Sequence, residues 1–133
     1  MTGVQTCALP IYDVFKVPHS RHTTILEEEV KGVKELRILS TSKDAGVYAI
    51  ATDGGRQIFI TGHPEYDANT LANEYFRDLN ENKPIKIPKN YYPNDDTSKE
   101  PIVSWRSHAN LLYSNWLNYY VYQSTPFDIS TIK

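Results

Sequence analysis

Residues 46–62 read GVYAIATDGGRQIFITG, and this stretch decides the fold. Two short runs of Val, Ile, Tyr and Phe flank Asp53, Gly54 and Gly55. β-Branched and aromatic side chains suit a pleated surface, and Gly-Gly supplies the positive φ that a tight connection demands, so the stretch is predicted to be a β-hairpin. Immediately upstream, VKELRILST at 33–41 has the same character and adds a third consecutive strand. Further back, YDVFKVP at 12–18 alternates apolar side chains as far as Pro18, which predicts another strand over 12–17 that ends at the proline.

Downstream of the hairpin the period changes. Ala68, Leu71, Ala72, Tyr75 and Leu79 fall on one face at helical spacing, so a helix is expected over 68–81 with Asp67 placed to cap it. The stretch NENKPIKIPKNYYPNDDTSKEP concentrates Pro, Asn and charge, and reads as a long loop. Beyond it, Trp105, Ala109, Leu112, Trp116 and Tyr119 mark a second helical stripe. The fold class is therefore α/β. The first eleven residues, MTGVQTCALPI, carry no charge and no periodicity, and read as a non-native artefact of truncation ahead of a unit spanning 12–133.

The chain has 133 residues and a formal net charge of −2, so it offers no broad basic field for nucleic acid. No apolar run approaches the roughly 20 residues of a membrane span, and a cytoplasmic location is the default expectation. A single cysteine, Cys7, excludes an internal disulfide framework and a Cys-rich zinc site.

Chemistry-bearing residues gather at the end of the last strand, in ITGHPEYD at 60–67. Side chains two apart on extended chain point the same way, and Pro64 biases His63 toward extended backbone, so His63 and Glu65 could converge on one point. A neutral histidine base needs a carboxylate to fix its tautomer and stabilise its protonated form, and Glu65 could serve. His-Pro-Glu is also common turn chemistry, with an anion near a helix N-terminus. A metal reading of His19, His22, His63 and Glu65 is conceivable, although the spacing is not a characteristic ligand pattern. His108 is the fourth histidine. From the residues alone these readings stay open.

Four blocks carry a more specific signal: VPHSRHT at 17–23, ITGHPEYDANTLANEYFRDL at 60–79, NYYPNDD at 90–96, and PIVSWRSHANLLYSNWLNYYVYQSTPFDI at 101–129. Together they closely resemble the C-terminal part of the homoserine O-acyltransferases, the acetyl- or succinyl-transferring enzymes of methionine biosynthesis. The likeness runs from about Tyr12 to Asp128 without an evident gap. It implies a fold like that of class I glutamine amidotransferases, a flavodoxin-like α/β sandwich of which this chain holds the C-terminal portion with an incomplete sheet. It implies a Cys, His, Glu triad that passes the acyl group from acetyl-CoA or succinyl-CoA through a thioester to L-homoserine.

Carried over by position, His63 matches the general base, Glu65 the triad carboxylate, Ser20 a substrate-contacting serine and Arg77 the arginine that holds the homoserine carboxylate. Without the resemblance, Arg77 would read as a solvated charge and Ser20 as a loop hydroxyl. The resemblance implies acyl-CoA as co-substrate with no cofactor and no metal, and a homodimer for the full-length form. The nucleophilic cysteine belongs to the family's upstream half and is absent here, since Cys7 lacks the small-residue elbow. A fragment inactive alone is the expectation. A glutamine amidotransferase-like hydrolase and a non-catalytic interaction module are the rival classes.

Overall fold

The computed structural model describes residues 14–125 and 127–132. Among them the expected hairpin and its upstream neighbour form a three-stranded antiparallel sheet of β1 (Leu36–Ser42), β2 (Gly46–Thr52) and β3 (Ile58–Ile60), in the order β1-β2-β3. The β2–β3 connection is a 3₁₀ turn, Asp53–Gly55, with Gly54 at φ +79 and Gly55 at φ +72. A side chain at Gly55 would also run into the Tyr120 ring, so glycine is required there for backbone and space alike. β2 is central, and its residues Val47 to Ala51 are all buried.

A short helix, α1 (Glu27–Lys31), precedes the sheet. The sequence reading did not anticipate it, although three glutamates in its first turn and a lysine in its last complement the helix dipole. Val30 of α1 packs with Val47 and Ile50 under Leu36 and Ile38, which makes one core cluster.

The strand expected over 12–17 does not form within the described residues 14–17. A partner distant in sequence takes its place in the packing: the Lys16 N–H donates to His108 Nδ1 at 2.9 Å, so the segment docks on a side chain and not on a strand. Residues 12 and 13 of that expectation lie outside the described residues.

The helix expected over 68–81 is α2, Thr70–Asn80. Asp67 does not cap it through its side chain. Asn69 stands at the N-cap without a side-chain hydrogen bond, and Asp67 accepts the Thr70 N–H through its backbone carbonyl at 3.3 Å. The buried face is rotated from the expected stripe. Leu71 and Ala72 are buried as the period implies, yet Leu79 is 46% exposed while the charged Asp78 is only 6% exposed.

The Pro- and Asn-rich stretch is a loop with one 3₁₀ turn, Pro93–Asp95. It is anchored by Tyr91 and Tyr92, which pack with Leu71, Ala72 and Trp105 into the second core cluster, with Tyr66 against its margin. The Tyr91 hydroxyl donates to the Ala68 carbonyl and accepts the Ala72 N–H, which pins the first turn of α2 to the loop. The C-terminal stripe forms α3 (Arg106–Trp116), a π-helical turn (Leu117–Val121) and a last short helix, α4 (Tyr122–Ser124). Trp105 and Ala109 are buried, whereas Trp116 stays 44% exposed. It borders an apolar groove of about 750 Å³ between α3 and the sheet, shared by Phe15, Leu39, Ile58, Ile60 and Leu112. No helix among the described residues is long and apolar enough to cross a membrane.

Candidate active site

The site is built where β3 runs out. The Thr61 N–H donates to the Tyr48 carbonyl at 2.9 Å, which extends the β2–β3 ladder one residue beyond the strand, and the Thr61 hydroxyl donates to the Val47 carbonyl at 2.7 Å. Gly62 is then wedged against the 18–20 loop. A Cβ there would lie 3.0 Å from the Pro18 carbonyl oxygen, His19 Nε2 and Tyr48 Cε2. That close approach lets the His63 N–H donate to Pro18 O at 2.8 Å, joining the loop carrying Ser20 to the end of β3.

His63 Nδ1 and Glu65 Oε1 are 2.9 Å apart. A carboxylate can only accept, so the pair assigns the ring proton to Nδ1 and leaves Nε2 as the basic nitrogen. The opposite constraint on the ring is Tyr66, whose phenol stacks on the imidazole at 4.3 Å between centroids with 15° between planes. Tyr66 is held in turn. Its hydroxyl donates to Glu74 Oε1 at 2.7 Å and its carbonyl accepts the Trp105 Nε1–H at 2.9 Å. Desolvation first, and then the Glu74 carboxylate, push the Tyr66 phenol up to about 12. It remains a neutral donor through the physiological range.

Arg77 lies on α2 and makes no hydrogen bond or ion pair with His63 or Glu65. Its Nε and Nη2 both donate to Asp78 Oδ1 at 2.9 Å. Asp78 also accepts from Lys83 Nζ at 3.0 Å, and its other oxygen is 3.8 Å from Nε2 of His22, two residues beyond Ser20. The hydrogen bonds from Arg77 and Lys83 hold the Asp78 carboxyl down at about 2.

Of the remaining histidines, His108 is a packing residue that accepts the Lys16 N–H and stacks with Phe15. His19 is half-buried against Tyr48, and its pKa is lowered by burial first and then by Arg21 and His63. Neither ring nitrogen of His19 has a hydrogen-bond partner among the described residues. No group of three or more His, Cys, Asp or Glu among the described residues is arranged to hold a metal ion. Cys7 lies outside the described residues.

The structure thus joins His63 directly to Glu65 and ties the loop carrying Ser20 to them through the Pro18 carbonyl, while Arg77 stands apart on its own buried carboxylate. Neither Tyr66 nor Asp78 stands out as a site residue in the sequence pattern. An acidic residue in the last turn of a helix, against the dipole, was the available signal for Asp78.

Residues 6–127 match the family model described as homoserine O-succinyltransferase. The chain belongs to this family. It is 60% identical over 119 residues to a homoserine O-acetyltransferase of Brevibacillus brevis, covering 90% of this chain and 39% of that protein. It is also 60% identical over 121 residues to a homoserine O-acetyltransferase of Acetivibrio thermocellus, covering 91% of this chain and 40% of that one. A homoserine O-acetyltransferase of Petrotoga mobilis is 58% identical over 120 residues. The chain therefore spans about two fifths of the length of these relatives. The His63–Glu65 couple lines neither the apolar groove between α3 and the sheet nor the cleft walled by His19, Tyr48 and Trp105.

Proposed function

We propose that this chain supplies the base, its orienting carboxylate and the acceptor-binding arginine of a homoserine O-acyltransferase. The observation that carries the reading is the 2.9 Å contact between His63 Nδ1 and Glu65 Oε1 in a chain of this family. A cysteine in the portion of the relatives that this chain does not span attacks the thioester carbonyl of acyl-CoA and releases the CoA thiol. The acyl group then rests on that cysteine. His63 Nε2 takes the proton from the homoserine hydroxyl as its oxygen attacks the acyl-enzyme, and returns it to the departing cysteine sulfur. Glu65 stabilises the imidazolium between these steps. Arg77 has the geometry class for a carboxylate, a planar fork of N–H donors, and holds the amino-acid end of homoserine with Ser20 nearby.

The names of the relatives favour an acetyl donor over a succinyl one. The three described strands form part of a larger glutamine amidotransferase-like sandwich. The complete enzyme works in the cytoplasm as a homodimer, and the present chain alone is inactive, since it carries base and grip without nucleophile.

The test uses a chimera in which residues 14–132 replace the matching stretch of the Brevibacillus brevis homoserine O-acetyltransferase. CoA release without acceptor is followed first, and O-acylhomoserine formation is then followed as homoserine is titrated. His63→Ala should lower acyl transfer on the order of 10²-fold or more. Arg77→Ala should leave the first stage intact and raise the homoserine KM on the order of tenfold or more. Full transfer by His63→Ala would refute the assignment of the base.

A further inference from the structure

We infer that Asp78 is a positioning residue for acceptor binding: it fixes one edge of the Arg77 guanidinium so that the other edge is presented to the homoserine carboxylate. This rests on the acceptor role proposed for Arg77. Arg77 spends Nε–H and one Nη2–H on a single oxygen of Asp78, at 2.9 Å each. That leaves the outer Nη1/Nη2 edge, which is the second bidentate fork of a guanidinium. The Arg77 side chain is 58% exposed, so this outer edge is reachable from solvent.

Asp78 breaks a local rule. A carboxylate in the last turn of α2 opposes the helix dipole, and its burial is sustained by its pairing with Arg77 and Lys83. A local rule broken in this way points to a function served elsewhere. The pairing partners say where. Arg77 precedes Asp78 in sequence, and neighbouring side chains on a helix do not share a face, so the guanidinium must fold round the helix to reach Oδ1. Oδ2 faces His22, which belongs to the loop that carries Ser20. One buried carboxylate therefore sets both the direction of the arginine and its registration against the serine loop. Lys83 also bonds to Oδ1 but is itself shared with Glu81, at 2.7 Å.

In the chimera described above, Asp78→Asn preserves the side-chain shape and removes the charge. The expected result is a homoserine KM raised about tenfold, with CoA release in the absence of acceptor within about twofold of the parent. In an Arg77→Ala background the same substitution should add little, because the residue it positions is gone. Lys83→Ala, which removes the other cation bonded to Asp78, should leave the homoserine KM unchanged. If Arg77→Ala raises the KM and a folded Asp78→Asn does not, the positioning role is overturned while the acceptor role of Arg77 stands. If neither substitution moves the KM, the acceptor role itself fails. Should Asp78→Asn not fold, ¹⁵N NMR of the parent decides: a slowly exchanging, resolved Arg77 Nε–H supports the clamp, and a signal averaged as in a free arginine overturns it.

Discussion

Replacing Gly62 by alanine tests whether the close approach of loop and strand builds the site. The added methyl would stand 3.0 Å from three atoms, and one of them, the Pro18 carbonyl oxygen, is backbone that also accepts the His63 N–H at 2.8 Å. It cannot retreat without lengthening that bond. Overpacking of this kind costs about 1–3 kcal/mol. Gly62 does not adopt a positive φ, so alanine is conformationally tolerated there and returns about 0.4–1 kcal/mol by restricting the unfolded chain. Taken at the middle of both ranges, the net expectation is a loss of about 1.3 kcal/mol. With a urea slope of about 2 kcal/mol/M, the midpoint should fall by about 0.5–1 M, read by fluorescence of the buried Trp105. Gly32→Ala is the internal control. Its φ is −71 and the nearest atoms to an added Cβ are at 3.4 and 3.5 Å, so stability should hold or rise slightly. An unchanged midpoint for Gly62→Ala, or equal losses at both positions, would refute the crowding described for the strand end.

Trp105→Phe keeps a ring against Tyr91 but removes the Nε1–H that donates to the Tyr66 carbonyl, and should cost about 1–3 kcal/mol in a denaturant titration. Retained stability would mean the bond is replaced by solvent. Asp78 predicts an acid limb. Its carboxyl ordinarily titrates at 3.8 and is held at about 2 in the folded chain, so its stabilising contribution is present above 3.8 and lost as pH falls through 2. Unfolding followed between pH 4 and 2 should be flatter in Asp78→Asn than in the parent, and parallel curves would contradict the pairing.

Features written in neighbouring residues were legible. The Asp-Gly-Gly turn placed β2 against β3, and the switch from period two to period 3.6 placed α2 and α3 within a few residues. His63 and Glu65 do meet, but in a turn around Pro64 closed by the Tyr66 N–H on the His63 carbonyl, and not through the extended backbone expected there. Part of what the pattern missed depends on distant partners. A strand needs a ladder, and nothing local shows that Lys16 would find the ring of His108 instead. Asp78 and Tyr66 escaped for a different reason. A hydropathy stripe treats a carboxylate as solvent-facing and a tyrosine as core, and it is blind to side-chain pairing even between neighbours: Asp78 is bonded by Arg77 and Lys83, one and five residues away, and Tyr66 by Glu74, eight away. The helix cap failed because Asp67 used its carbonyl, a group every residue has.

The docking of Lys16 on His108 has a kinetic side. Thr61 reaches Val47 across 14 residues of chain, whereas Lys16 reaches His108 across 92. Each doubling of a closed loop adds about 0.6 kcal/mol of entropy, so the longer closure is about 1.6 kcal/mol harder to form. The N-terminal arm is accordingly the last part of the site to order and the first to let go. Such an opening withdraws Ser20 while leaving the imidazole on its carboxylate, because that pair is closed within one short turn. Amide exchange at His63, whose N–H is held by Pro18, reports the rate at which the arm lifts.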